Sequence, residues 1–199
     1  VGLADDPEWM GGASMAQNGV VCNPNIPSEE VFTTPHAQRV EGYVSSTKPL
    51  SHQGTLIDNI RVVFEKGSIT DAKASKGETV LKKVLESDEG ARRLGEVALV
   101  PNSSPISNSG LLFYNTLFDE NAACHIALGQ CYSKCFKGEK NLSLSEISER
   151  GGNSSMIHID WMIGSGEIDI DGFGKNGEMV PIFRNCLLYT SDAADDLYR

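Results

Sequence analysis

The sequence has no long apolar run, no surplus of positive charge and no paired set of cysteines. A helix that crosses a bilayer needs roughly 20 consecutive apolar residues, so a membrane-spanning helix is not expected. Lys and Arg number 17 against 27 Asp and Glu, a net charge of −10. A phosphate backbone is met by clustered basic residues, so no nucleic-acid partner is expected. The cysteines, Cys22, Cys124, Cys131, Cys135 and Cys186, are odd in number and irregular in spacing. That excludes a ready disulfide framework and points to a reducing, cytoplasmic compartment. Histidine is scarce too: His36, His52, His125 and His158 are the whole supply, which shortens any list of metal ligands.

What is present fits a globular chain, with 40% hydrophobic and 22% charged residues among 199. Residues 1–27 read as loop with short strands. "RVEGYVSS" alternates as a strand, and the residues on either side of Lys66-Gly67 read as a hairpin. In "GETVLKKVLESDEGARRLGE", Val80, Leu81, Val84 and Leu85 are spaced as the buried face of a helix. Ser87 or Asp88 is placed to cap a second, shorter one. "EVALVP" and "MIHIDWMIG" read as apolar strands, and "GEIDIDGFGKNGEMVPIFRN" as two strands about a Lys175-Asn176-Gly177 turn. "GLLFYNTLFDENAACHIALGQCY" mixes both periods. The expected fold is α+β, strand-rich with a few short helices.

The strand around "IHIDW" carries the strongest chemical signal. Alternate residues of a strand project to the same face. His158 and Asp160 therefore share one face, and Ile157, Ile159 and Trp161 share the other. An imidazole and a carboxylate on an apolar strand are expensive to bury unless something compensates them, and a cation is one candidate. Other carboxylates sit in apolar or small-residue surroundings. Glu96 opens "EVALV" after Gly95, but also reads as a helix-end residue. Glu120 lies five residues before His125, yet also reads as a solvated helix residue. Glu29 and Glu30 follow Pro27 and also suit the first turn of a helix. His125 also reads as a core histidine.

Four segments, "NIPSEEVFTTP", "DEGARRLGEVALVP", "LFYNTLFDENAACHIALG" and "IHIDWMIGSGEIDIDG", together resemble the thermophilic-type metalloaminopeptidases, the aminopeptidase T and aminopeptidase S family. The resemblance covers almost all of 9–185. It implies that residues 1–185 are the family's C-terminal metal-binding domain, lacking the N-terminal α/β domain of family chains about twice this length. It implies six ligands, Glu30, Glu96, Glu120, His125, His158 and Asp160, holding two divalent ions, with Glu96 between them. It also implies peptide substrates with a free N-terminus and a homodimer in the full-length protein. Tyr132 in "GQCYSK" matches a tyrosine that lines the family's active site. Four carboxylates and two imidazoles suit Zn²⁺, Co²⁺ or Mn²⁺. Two such ions lower the pKa of a water and polarise a carbonyl. Glu29, next to a ligand, is a candidate general base, and Tyr132 a candidate oxyanion donor.

Two rival readings are weaker. A structural zinc module would use Cys124, His125, Cys131 and Cys135, but lacks a Cys-x-x-Cys knuckle. A non-haem iron triad would need a third ligand upstream of His158 and leaves Glu30, Glu96 and Glu120 unused. The tail, 186–199, resembles the translation of a transposon sequencing adapter and is set apart from the fold. It is expected to pack poorly.

Overall fold

The computed structural model describes residues 1–138 and 142–188. Its centre is a five-stranded antiparallel sheet in the order Met10–Gly11, Val31–Thr33, Leu94–Leu99, His125–Gly129, His158–Met162. The α+β, strand-rich expectation holds: the remaining elements are small antiparallel sheets and hairpins with a few short helices.

One face of the central sheet rests on the main core. Leu94, Ile126, Leu128, Ile159 and Trp161 pack there with Ile57, Ile60, Val62, Leu81 and Leu85. Leu81 and Leu85 come from the Glu78–Leu85 helix, whose partly buried Val80 and Val84 join the same cluster. The spacing read from the sequence is thus the face that the helix buries. Glu78 in its first turn and Lys82 and Lys83 in its last complement the helix dipole. Asp88 caps the 3₁₀ turn Glu89–Arg92 by accepting from Ala91 N at 2.9 Å. The Arg61–Glu65 and Ser68–Lys73 strands form the expected hairpin, turned by a left-handed Lys66–Gly67 pair. Ile170–Phe173 and Met179–Arg184 pair across the expected second turn. The ambiguous 110–132 stretch resolves into a one-turn helix, Thr116–Asp119, a 3₁₀ turn, Glu120–Ala122, and the strand His125–Gly129.

The tail departs from expectation at its start. Cys186 is buried with Leu99, Cys124 and Phe183. Its N–H donates to Ile168 O at 2.8 Å, and its carbonyl accepts from Asn102 N at 3.0 Å. Left-handed Asn185 and Cys186 fold the chain back, so Leu187–Leu188 pairs with Met179–Arg184. A cysteine packs as a small hydrophobe, and Cys186 does so beside Leu99, Cys124 and Phe183. The rest of the tail, 189–199, lies outside the described residues.

Candidate metal centre

The sheet face opposite the core gathers the polar residues. His125 and Asp160 alternate with the core-facing Ile126, Ile159 and Trp161, as period two requires. Glu96 reaches this face by a different device. Leu94 packs into the core, so a regular strand would send Glu96 there as well. A β-bulge lies between Leu94 and Glu96, and the extra residue, Gly95, reverses the alternation. Val97 then packs on the core, and Glu96 turns to the other side. Glu30 enters just ahead of the Val31–Thr33 strand.

The registers put these groups in rows. Glu96 pairs with Ala127, and Ala127 with Asp160, across three neighbouring strands. Ala98 pairs with His125 in the next row. Directly opposed Cβ atoms lie about 4.5–5.5 Å apart. An alanine between two carboxylates therefore leaves a gap, where a larger residue would fill it.

Two candidate ligand groups result. Glu30, Glu96 and His125 form one, and Glu96, His158 and Asp160 the other. Within each, one donor atom per residue lies within 4.8 Å of the others. Glu96 belongs to both. Its Oε1 is 3.7 Å from His125 Nε2, and its Oε2 is 3.3 Å from His158 Nε2. Glu30 Oε1 stands 3.2 Å from His125 Nε2, and Asp160 Oδ2 3.5 Å from His158 Nε2. Both rings point their other nitrogen at a carbonyl: His125 Nδ1 at Ala123 O, 3.0 Å, and His158 Nδ1 at Gln130 O, 2.7 Å. A carbonyl only accepts, so each Nδ1 carries the hydrogen and each Nε2 is presented to the carboxylates.

The set fits a cation. His125 is fully buried. Its Nε2 is close to two carboxylates, yet the geometry closes no hydrogen bond, leaving a buried polar atom without a partner. Without a metal the charges are balanced by protons. Burial opposes a charged His125, but Glu30 and Glu96 outweigh it and hold its pKa well above the ordinary value. Burial likewise opposes charge on His158, and Asp160 and Glu96 overcome it, raising its pKa to about 10. Burial would raise Glu96, but His125 and His158 turn the balance and lower it.

Glu120 lies beside this cluster without belonging to either group. It is buried at the junction of the one-turn helix and the 3₁₀ turn. Burial, together with the charge of Asp160, raises its pKa to about 8. Tyr132 tilts against His158 with ring centroids 4.7 Å apart, and packs edge-on to Phe32. Burial and the charges of Glu96, Asp160, Glu120 and Glu30 raise its phenol pKa, so the hydroxyl stays a donor. Glu29 is exposed and joins neither group. Cys124, Cys131 and Cys135 lie in three separate apolar clusters. None of them belongs to a candidate ligand group among the described residues, which speaks against the cysteine zinc module.

Some contributors are missing from the sequence reading. Asn25 donates to Glu120 Oε1 at 2.8 Å from a loop far away in the chain. Nothing local marks it. Gly95 and Gly129 could have been noticed, because a glycine inside a strand often marks a bulge or a close backbone approach. A Cβ on Gly129 would lie 2.1 Å from Ile157 O, and its φ is +100°. A Cβ on Gly95 would lie 2.3 Å from Gln130 O.

The family described as thermophilic metalloprotease (M29) matches residues 1–186. Aminopeptidase T of Thermus aquaticus is 54% identical over 184 residues, 92% of this chain and 45% of that protein. Aminopeptidase 2 of Geobacillus stearothermophilus is 52% identical over 185 residues, 93% of this chain and 45% of that one. The solved structure of wild-type AmpT from Thermus thermophilus superposes with a TM-score of 0.89 at 50% identity. It is matched over 96% of this chain and 47% of its own. The chain thus spans less than half the length of these relatives.

Proposed function

The chain belongs to the thermophilic metalloprotease (M29) family, and on that premise we propose that it is the metal-binding part of an aminopeptidase that uses two divalent ions. Its substrates are peptides with a free N-terminus. The observation that carries this reading is Glu96, whose two oxygens face two different histidines. Glu30 and His125 would hold one ion, His158 and Asp160 the other, and Glu96 would bridge them. Glu120 completes the set from beside Asp160. The ions are Zn²⁺, Co²⁺ or Mn²⁺, and when bound they supply Lewis acidity for the scissile carbonyl and the attacking water.

The chain's own residues do the rest. Four carboxylates, Glu30, Glu96, Glu120 and Asp160, offset the charge of two dications and leave a negative rim for the substrate's α-ammonium group. That preference confines cleavage to the first peptide bond. Tyr132 donates its O–H toward the oxygen that gains charge as the carbonyl is attacked. Glu29 is free to take a proton from the water and pass it to the leaving amine. In the longer protein the chain works as part of a homodimer.

Elemental analysis of the purified chain, paired with hydrolysis of an amino-acid p-nitroanilide, tests the reading. Two equivalents of metal are expected, with hydrolysis that is weak in this chain alone, abolished by a chelator and absent for the N-acetylated substrate. Cleavage of the acetylated substrate at the same rate would exclude an aminopeptidase.

A further inference from the structure

We infer that Gln130 is a positioning residue for the His158 half of the site, an inference that rests on the two-ion reading above. The two imidazoles are held differently. His125 Nδ1 bonds to Ala123 O, two residues away on its own segment. His158 Nδ1 bonds across the sheet to Gln130 O. Gln130 in turn holds the segment that delivers His158. Its backbone N–H donates to Ile157 O at 2.7 Å. Its side-chain Oε1 accepts from Ser155 N at 3.0 Å, and its Nε2 donates to Cys131 O at 3.0 Å.

The chain approaches His158 through Gly151-Gly152-Asn153-Ser154-Ser155, which has no ladder of its own. The Gln130 amide replaces that ladder. It ties Ser155 to the end of the His125–Gly129 strand and keeps the Gln130 carbonyl aimed at the ring. Asp88 grips the same segment from elsewhere, accepting from Ser155 Oγ and Met156 N, but makes no bond to the imidazole. Among the described residues Gln130 alone bonds to both the segment and the ring, and its hydrogen bonds include none to the His125 side. Its loss therefore affects one ion and spares the other.

The test is calorimetric titration of the metal-free 199-residue chain with Zn²⁺, read as two binding steps. Gln130→Ala keeps the carbonyl but removes the amide that aims it; one step weakens about 10–100-fold, the range for changes around a ligating histidine, and the other stays within about 3-fold. Gln130→Glu keeps the acceptor for Ser155 N and returns the weakened step to within about 3-fold of the parent. Two unchanged steps in Gln130→Ala, equal weakening of both, or a Gln130→Glu step as weak as in Gln130→Ala would each overturn the inference. If Gln130→Ala does not melt cooperatively, Gln130→Glu decides alone: two near-parental steps are expected, and loss of one overturns the assignment. A parent chain that takes up fewer than two ions overturns the two-ion reading itself, and this inference with it.

Discussion

Asp160 and Asp171 both sit in an Ile-Asp pattern, but their surroundings differ. Asp160 is buried next to His158 and Glu120. Asp171 is exposed and pairs with Arg184 across a small sheet. Asp160→Asn keeps the shape and removes a charge from the cluster. It is expected to lower metal affinity at least 10–100-fold by equilibrium dialysis, since it alters a ligand rather than a ligand's neighbour. Asp171→Asn breaks a surface pair worth about 0–1 kcal/mol and should leave metal binding intact. The Arg184 pair gives Asp171 a small structural role away from the cluster. A second residue-scale expectation concerns pH. His158 is raised from 6.5 to about 10, so its contribution to stability is complete below pH 6.5 and fades as the pH climbs to 10. Glu120 is raised from 4.5 to about 8, and a raised acid likewise favours the fold at low pH and loses that effect between 4.5 and 8. Thermal melts of the metal-free chain should therefore fall in midpoint from pH 5 to pH 10. Added Zn²⁺ should restore the loss at pH 8, because the ion takes the place of the protons.

At the scale of elements, the strand His158–Met162 was fully legible. Its period of two separates His158 and Asp160 from Ile159 and Trp161, and the structure keeps that separation. The Lys66–Gly67 hairpin and the Glu78–Leu85 helix were legible for the same reason: local pattern and local structure agree. Glu96 could be listed as a ligand by resemblance, but period alone would have placed it in the core with Leu94. In "LGEVAL" the glycine is the one local sign of a bulge, and the register that turns Glu96 is set by pairing with the neighbouring strand. Asn25 and Gln130 act across long sequence separations, where spacing carries no information. The crossing of Gly129 over Ile157 gives an element-scale prediction. Gly129→Ala would need a left-handed alanine with its Cβ against a carbonyl oxygen. The backbone conformation alone costs about 1–3 kcal/mol. Urea denaturation should show at least that loss, and a destabilisation under 0.5 kcal/mol, the range of a neutral surface change, would mean that the two segments can part.

At the scale of the whole molecule, one run among the described residues exposes several large apolar side chains close together in sequence. Leu111, Phe113, Tyr114, Leu117 and Phe118 are all exposed, and the buried Asp119 carboxylate fixes their loop by accepting from Phe113 N and Asn115 N. A contiguous apolar patch favours association. Sedimentation should find the chain self-associating as concentration rises, and the double variant Phe113→Ser, Leu117→Ser should suppress this without changing metal content. The layout of the ligands has a further consequence, in time rather than in space. Glu96, His125 and the His158–Asp160 pair come from three strands of one antiparallel sheet, and Glu30 from just ahead of a fourth. No short stretch of chain contains more than a fragment of either group. A dication therefore finds no preformed nest in the unfolded chain, and none until the non-local pairings, the slow part of folding, are made. Interactions absent from the transition state act on the unfolding rate. In stopped-flow experiments saturating Zn²⁺ should leave refolding almost unchanged and slow unfolding several-fold or more, so that the ion serves as a latch fastened last.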